Sequence, residues 1–250
     1  MTIIAPRSFN KFLSALWLTA VFLLGQEGPS RIAVVNKGQP GENTQQALGV
    51  LNRDVLSVKP AAVVIYFGMN DCVNSGNSVA LDAFRENLET MVKKSVAGDI
   101  WPILVTVTPV IESYVLGRHK KEFFGEDGPN GKITKYNRAI QGIASAQKIP
   151  CVDANALFKA HGEPTEDVAS YIRNQANSNV SDGVHYTSKG NEALASAVYA
   201  VLKGTLKKGD TVVCFGDSLT FSYGVKGAGT STGDSYPARL AALLNGEAAP

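Results

Sequence analysis

The sequence predicts a doubly wound α/β domain, in which one parallel sheet carries helices on both faces. Two patterns point to this class: short, apolar runs rich in β-branched residues, and longer segments whose apolar residues recur every three or four positions. The patterns alternate five times, as expected of strand–helix–strand units with right-handed crossovers. With 250 residues, of which 44% are hydrophobic, the chain can bury a sizeable core as one large domain.

Five apolar runs are the predicted strands. Turn-forming residues follow them, and the second run is apolar throughout, as expected for a strand covered on both faces. The runs occupy residues 31–36, 61–67, 100–107, 149–153 and 211–215. Because the carboxyl ends of parallel strands lie at one edge of a sheet, the loops that follow these runs should gather there.

Helical periodicity fills the intervals between the strands. The predicted helices are a first one ending before Lys59, then about 81–96, 132–147, 188–206 and 235–244. Residues 112–131 are rich in glycine and are predicted to form a long, partly mobile loop; residues 154–179 read as polar and irregular. The aromatic pair Phe123-Phe124 either lines an acyl pocket or anchors the loop, and anchoring is the favoured interpretation.

Charge and cysteine content narrow the functional classes. Lys and Arg total 24 against 22 Asp and Glu, the net charge is +2, and no basic stripe indicates nucleic-acid binding. The three cysteines, Cys72, Cys151 and Cys214, lack metal-binding spacing and are predicted to be buried free thiols. A Cys72–Cys151 disulfide is the alternative if the protein is exported.

Residues 1–28 have the shape of a signal peptide. Arg7 and Lys11 precede the apolar run Phe12–Leu24, which is shorter than the roughly twenty residues that a membrane-spanning helix needs. We therefore predict a leader over 1–28, a single domain over 29–250, and export to the periplasm or the medium. No clean small-x-small triplet follows Leu24, so an uncleaved membrane anchor or a helix packed on the domain is the alternative.

Ser218 is the predicted nucleophile. It lies in Gly216-Asp217-Ser218-Leu219, directly after the last apolar run, where Gly216 permits a sharp turn at the end of a buried strand. Its side chain should therefore lie at the edge of the sheet where α/β enzymes place their chemistry.

A serine nucleophile needs a base within hydrogen-bond reach, and the base needs a third group to orient it. The chain has three histidines. His119 and His161 lie in polar loops and are interpreted as solvated, whereas His185 follows Asp182 by three residues in a turn with Gly183. That spacing lets the carboxylate reach back to the ring, so His185 is the predicted base and Asp182 its partner.

Attack on an ester builds negative charge on the carbonyl oxygen, which preorganised donors stabilise. Three donors are available: the backbone N–H groups of Ser218 and Gly41 and the side-chain amide of Asn70. In the alternative interpretation Gly41 is a turn residue and Asn70 a helix cap.

These residues fall in four blocks that together resemble the SGNH hydrolases, the GDSL esterase and lipase family. The blocks are Gly216-Asp217-Ser218-Leu219, Asn36 through Gly41, Gly68-Met69-Asn70-Asp71 and Asp182-Gly183-Val184-His185. The resemblance implies a flavodoxin-like three-layer α/β/α fold, the triad Ser218, His185 and Asp182, and an oxyanion hole of Ser218, Gly41 and Asn70. It covers the chain from Arg31 to Asn245.

The order of the blocks departs from the family, in which the serine block comes first and the Asp-His block last. A chain in the family's order would begin near Lys208 and end near Leu206. If those two ends were joined, and the chain were opened between Leu244 and Arg31, the present sequence would result. We therefore predict a circular permutant whose nucleophile strand is last in sequence and central in the sheet, between the strands of Val34 and Val64.

The resemblance implies a serine esterase that works through an acyl-enzyme and needs no metal or organic cofactor. Residues 137–153 and 182–199 are most similar to the isoamyl-acetate-hydrolysing and carbohydrate O-acetyl esterase branches, which favours short acyl groups on a small-molecule or carbohydrate ester. Residues 223–240 are also similar to arylesterases and to thioesterases with lysophospholipase activity. An acyltransferase and a non-catalytic binding module are the remaining alternatives.

Overall fold

The computed structural model of the protein describes residues 31–247, so the predicted leader lies outside the described residues. Within that range five strands form one sheet in the order β1-β5-β2-β3-β4, and every pair is parallel. The strands are β1 Ala33–Gly38, β2 Ala62–Tyr66, β3 Trp101–Val105, β4 Cys151–Val152 and β5 Thr211–Gly216. The predicted five-stranded parallel sheet is confirmed.

The helices of the described range form two layers. They are α1 Thr44–Asp54, α2 Met69–Val73, α3 Leu81–Ala97, α4 Glu112–Leu116, α5 Gly128–Gln147, α6 Ala154–Ala160, α7 Gln175–Ser178, α8 Ser188–Leu202, α9 Ser218–Phe221 and α10 Tyr236–Leu244. Helices α1, α3 and α5 pack in series, while α8 packs against α10. The connections from β1 to β2, β3 and β4 all move across the sheet in one direction, and the connection from β4 to β5 moves in the opposite direction. Because right-handed crossovers in opposite directions lie on opposite faces, helices α1, α3 and α5 cover one face of the sheet and α8 and α10 cover the other.

Strand β5 lies between β1 and β2. Val212 pairs with Val34, and Cys214 pairs with Val64, so the last strand in sequence occupies the predicted inner position. The residues from Val212 to Phe215 are fully buried, as a parallel strand with both faces covered requires. The chain therefore delivers Ser218 to the sheet edge from a rigid, inner strand.

The structure corrects the prediction of a long loop over 112–131. Helix α4, a 3₁₀ turn at Lys121–Phe124 and the start of α5 at Gly128 occupy most of that segment. Glycine-rich sequence gives little helical signal, but the Asn130 side chain receives a bond from Val110 N and donates to Val110 O. Glu112 Oε1 accepts from Asn130 N. Tertiary hydrogen bonds thus override weak local propensity.

Smaller corrections concern element ends. The polar stretch over 154–179 contains the short helices α6 and α7, α8 ends at Leu202 well before residue 206, and β4 spans two residues. Asn70 belongs to helix α2 and not to an open loop. Short helices of four to seven residues carry too few periodic positions for the sequence to reveal them.

The cysteine and aromatic predictions have clear outcomes. All three cysteines are free thiols, with Cys72 and Cys214 buried and Cys151 half-buried, so the alternative Cys72–Cys151 disulfide is not formed. Phe124 is buried edge-on against Phe123, and Lys132 Nζ lies 3.3 Å from the centre of the Phe123 ring. The pair therefore anchors its segment.

Across residues 31–247 no helix combines the length and apolar character needed to cross a bilayer.

Candidate active site

The structure brings Ser218 and His185 into direct contact. Ser218 is the first residue of α9, immediately beyond β5, and its Oγ lies 2.9 Å from His185 Nε2. Asp217 caps this short helix by accepting a hydrogen bond from Leu219 N at 2.9 Å. The sharp strand-to-helix turn passes through Gly216, where an added Cβ would collide with the Thr220 hydroxyl and the Tyr66 carbonyl. Glycine at this position is therefore required by close packing.

Asp182 holds the other side of the imidazole ring. His185 Nδ1 lies 3.0 Å from both carboxylate oxygens of Asp182, and Oδ1 also accepts from the backbone N–H groups of Val184 and His185. Burial raises the pKa of Asp182, but the hydrogen bonds and the charge of His185 outweigh it and lower the pKa to about 2. At neutral pH the carboxylate is ionised, and an ionised carboxylate favours the tautomer with Nδ1–H facing it and an unprotonated Nε2 facing Ser218 Oγ.

Two arginines, Arg118 and Arg173, hold the turn that carries Asp182 and His185. Arg118, which follows α4, donates to the carbonyl oxygens of Ser181 at 2.8 Å and Asp182 at 2.6 Å. The backbone of Arg173 donates to His185 O at 2.8 Å and accepts from Gly183 N at 2.9 Å. The Arg173 guanidinium lies 3.6 Å from Asp182 Oδ2. Neither arginine lies in a motif or a periodic pattern from which its position in the site could be predicted.

The predicted oxyanion donors differ in their positions. Ser218 N–H is at the start of α9, where an N–H group has no acceptor within the helix. Asn70 Nδ2 donates to Glu42 O at 3.0 Å, and Asn74 Nδ2 donates to Asn70 Oδ1 at 3.2 Å, so the amide is oriented. Gly41, at φ +80°, is exposed and lines a separate shallow hollow, although the bond from Asn70 ties the neighbouring Glu42 to the site.

Three carboxyl groups are buried behind Asn70. Asp217 Oδ2 lies 3.4 Å from Asn70 Nδ2, and burial raises the pKa of Asp217 to about 8. Burial likewise raises the pKa of Asp71 to about 6 and, with a contribution from Asp54, that of Glu42 to about 7. Asp71 and Glu42 add to the rise in the pKa of Asp217, since a like charge nearby disfavours ionisation.

A cavity of about 650 Å³ opens beside Ser218. One part of its lining is apolar, and Tyr223, 53% exposed, stands with its ring centre 5.1 Å from that of His185. Another part is cationic or polar. The lining residues are Met69, Asn70, Val73, Asn74, Arg118, His119, Arg173, Val180, Ser181, Asp182, Val184, His185, Ser218, Phe221, Tyr223, Gly224 and Ala228.

The other two histidines have different surroundings. His119, predicted to be solvated, is half-buried in the cavity wall, with Nδ1 2.9 Å from Ser75 Oγ; burial and then Arg118 lower its pKa. His161 lies outside this cavity and stacks on Tyr171 at 3.5 Å between ring centres. Within residues 31–247 no group of three or more His, Cys, Asp or Glu side chains is arranged to hold a metal ion.

Comparison with known families agrees with this architecture. The chain matches the GDSL-like lipase/acylhydrolase family over residues 13–193, and we conclude that it belongs to that family. The match includes the turn of Asp182 and His185 and ends before β5 and Ser218. Together with its esterase relatives, family membership defines the protein as a carboxylic ester hydrolase.

Individual relatives are similar over about two thirds of the chain or less. An isoamyl acetate-hydrolyzing esterase 1 homolog from Bos taurus is 29% identical over 181 residues, 68% of each chain. The uncharacterized lipoprotein YqeF of Bacillus subtilis is 31% identical over 130 residues, 48% of this chain and 54% of its own length. Among solved structures, a GDSL-like lipase from Bacteroides thetaiotaomicron has a TM-score of 0.52 at 27% identity, covering 66% of this chain and 73% of its own.

Proposed function

We propose that the protein hydrolyses short-chain acyl esters, of the acetyl type, through a Ser218 acyl-enzyme. The observation that carries the proposal is the continuous hydrogen-bond chain from Ser218 Oγ to His185 Nε2, at 2.9 Å, and from His185 Nδ1 to Asp182, at 3.0 Å. Such a chain converts an unreactive hydroxyl into a nucleophile, because the imidazole accepts its proton as the oxygen attacks.

The reaction proceeds in two halves. Ser218 Oγ attacks the ester carbonyl while its proton passes to His185 Nε2, and the resulting imidazolium is stabilised by the ionised Asp182. The imidazolium then protonates the leaving alcohol as the C–O bond breaks, and the acyl group stays on Ser218. A water molecule deprotonated by the same nitrogen attacks the acyl-enzyme, releasing the acid and restoring Ser218.

The negative charge of each tetrahedral intermediate is assigned to three donors. Ser218 N–H and Asn70 Nδ2, which belong to residues lining the cavity, are the first two. Gly41 N–H is the proposed third; Gly41 does not line the cavity, and Asn70 ties its neighbour Glu42 to the site through the Glu42 carbonyl oxygen. Asn70 Nδ2 lies 3.4 Å from Asp217 Oδ2, a long hydrogen bond, so the second N–H of this amide is weakly engaged and available to the oxyanion. Removal of one such donor typically costs about 10²–10³-fold in kcat.

Short acyl groups are favoured by the relatives. The bovine relative is named for the hydrolysis of isoamyl acetate, an ester with a two-carbon acyl group. Small-molecule and carbohydrate acetyl esters are both candidate substrates, since the cavity, at about 650 Å³, is roomy enough for a bulky alcohol on a small acyl group.

The test is hydrolysis of 4-nitrophenyl acetate, butyrate and octanoate by the purified protein. We expect acetate and butyrate to be hydrolysed faster than octanoate, and Ser218→Ala and His185→Ala each to lose roughly 10³-fold or more of kcat. Matched controls are Ser57→Ala and His161→Ala, which remove the same groups away from the cavity. An inert wild type, or a Ser218→Ala protein that keeps its rate, would contradict the proposal. Adding an acceptor alcohol and analysing the products separates hydrolysis from acyl transfer.

We further propose that the chain is a circular permutant of its family. Its support is the contact between the last described residues and the start of β1: Asn245 Oδ1 accepts from Ile32 N at 2.9 Å, Asn245 Nδ2 donates to Ile32 O at 3.0 Å, and Arg31 pairs with Glu247. The helix that follows β5 thus ends where β1 begins, as it would in a chain that continued directly from one to the other.

A rearranged gene tests the proposed permutation. It begins near Lys208, joins Glu247 to Arg31 through a short glycine-containing linker, and ends near Leu206. We expect a folded protein with the esterase activity of the original chain. Failure of this variant to fold, alongside a folded control with the same linker appended to the original carboxyl end, would refute the proposal.

Residues 1–28 are proposed to direct export, and residues 29–250 to form the hydrolase domain. Support comes from the basic residues before an apolar run and from the similarity to a Bacillus lipoprotein. Cell fractionation followed by amino-terminal sequencing tests this: we expect the mature protein outside the cytoplasm, beginning near residue 29. Recovery from the cytoplasm with Met1 intact would contradict export.

A further inference from the structure

The charged residues in the cavity wall are unequally distributed. Arg118 and Arg173 contribute two guanidinium groups, and Asp182 is the single carboxylate among the lining residues of the described range. That carboxylate already faces His185 Nδ1 at 3.0 Å, so its charge is directed at the imidazole. Two guanidinium groups against one carboxylate give the wall of the cavity beside Ser218 a net positive charge.

The positive charge of Arg118 is balanced by fewer nearby negative charges than that of Arg173. It is exposed, and its guanidinium donates to two neutral acceptors, the carbonyl oxygens of Ser181 and Asp182. No carboxylate of the described residues lies within ion-pairing distance of Arg118. Since a guanidinium carries five N–H donors, three remain for a ligand, in a group whose orientation the two carbonyls already fix.

Arg173 is built into the same wall. Its side chain is 14% exposed and lies 3.6 Å from Asp182 Oδ2. It rests against Gly224, where an added Cβ would collide with the guanidinium, so the absence of a side chain at residue 224 makes room for the cation. The positive charge is therefore held in the cavity by packing.

We infer that the substrate is an ester whose alcohol part carries a negatively charged group, a carboxylate or a phosphate, which Arg118 binds and Arg173 attracts. The inference rests on the proposed esterase activity, and it assigns the charge to the alcohol because a short acyl group has no room for one. A planar guanidinium with several free donors matches both oxyanions, so both belong to the test.

The experiment compares four acetyl esters that differ in charge. They are 4-acetoxybenzoate, 4-acetoxyphenyl phosphate, the neutral 4-acetoxybenzamide and the cationic 4-acetoxyphenyltrimethylammonium. Each kcat/KM is divided by the rate of hydroxide-catalysed hydrolysis of the same ester, which removes differences between the leaving groups. We expect this normalised kcat/KM to be roughly fivefold higher for one or both anionic esters than for the amide, and higher for the amide than for the cationic ester. The differences between the esters should become smaller in 0.5 M NaCl.

Variants locate the effect in the cavity. Arg118→Gln should bring the anion-to-amide ratio close to one, Arg118→Lys should retain most of it, and Arg85→Gln, which removes the same charge from the exposed side of α3, should leave it unchanged. Because the readout is a ratio, a general loss of turnover from disturbing the Asp182 turn cancels. A ratio near one in the wild type, or an equal change in Arg85→Gln, would overturn the inference while leaving the esterase activity intact.

Calorimetric binding to the Ser218→Ala protein keeps the inference independent of turnover. We expect 4-acetoxybenzoate to bind more tightly than 4-acetoxybenzamide, and this preference to disappear in the Ser218→Ala, Arg118→Gln double variant. If the wild type hydrolyses none of the esters but the binding preference holds, the proposed esterase fails and the anionic site stands. Equal binding of both esters overturns the anionic site.

Discussion

Replacing Asp182 by asparagine tests the carboxylate that orients His185. The pKa of Asp182 is lowered from an ordinary 3.8 to about 2, despite burial that raises it. That difference corresponds to about 2–3 kcal/mol by which the folded surroundings favour the carboxylate over the acid. Asparagine keeps an acceptor for the backbone N–H groups of Val184 and His185 but removes the charge.

We expect the effect on turnover to exceed the effect on folding. The imidazolium loses its counter-charge and the tautomer is no longer fixed, so kcat for 4-nitrophenyl acetate should fall roughly 10³–10⁴-fold with a small change in KM. A kcat within tenfold of the wild type would refute the assignment. Asp82→Asn, in the exposed first turn of α3, is the matched control.

The same variant has a defined pH signature. A carboxyl group with a depressed folded-state pKa stabilises the fold above its unfolded pKa, near 4, and this stability is lost as the pH falls through the folded pKa, about 2. Urea unfolding between pH 5 and pH 2 should therefore show the wild type losing about 2–3 kcal/mol more than Asp182→Asn. Parallel curves for the two proteins would show that Asp182 is not stabilised as a carboxylate.

Three further substitutions probe the support of the site. Asp71 Oδ1 accepts hydrogen bonds from Thr44, while Oδ2 has no partner among the described residues. Because burial raises the pKa of Asp71 to about 6, the free energy of unfolding should fall as the pH rises from 4 through 6. Asp71→Asn should lessen this fall by about 3 kcal/mol, measured by urea unfolding at pH 4 and pH 8. Gly216→Ala should destabilise the protein by about 2–4 kcal/mol in thermal unfolding, because a methyl group collides with backbone that cannot move aside. Tyr186→Phe removes a hydroxyl bonded to both Tyr66 and Thr108 and should cost about 1–3 kcal/mol in urea unfolding with less than a tenfold change in kcat, since that hydroxyl touches no reacting atom. Unchanged unfolding in any of the three would contradict the corresponding contact.

Much of the fold was predictable because the signal is local. Each inner strand is a continuous apolar run, and a parallel sheet collects the carboxyl ends of such runs at one edge. Ser218, Asn70 and His185 could be predicted to meet because each lies in a polar block directly after an apolar run or in a tight turn. Their catalytic roles stay predictions.

The parts that could not be predicted depend on contacts between distant residues. The helical start at Gly128 is held by Glu112 and Val110, and nothing within the glycine-rich segment itself favours a helix. In the sequence Arg118 and Arg173 are indistinguishable from other charged residues. Only in the folded chain does Arg118 reach the carbonyl oxygens of Ser181 and Asp182, and Arg173 pack against Gly224. A single residue outside any motif changes neither the hydrophobic periodicity nor a recognisable pattern, so its place in a site cannot be predicted from the sequence.

Chain order and site geometry are separable in this fold. Strand β5 pairs with β1 over Ala33↔Thr211 and with β2 over Ala62↔Val212, so its pairings join residues that are about 150 or more positions apart along the chain. Such non-local pairing is entropically costly to form and slows folding, but once formed it is insensitive to which end of the chain supplied the strand. A permuted order would therefore change the route to the folded state while leaving the 2.9 Å contact between Ser218 and His185 as it is. Moving β5 to the front of the chain should consequently alter the folding rate more than kcat.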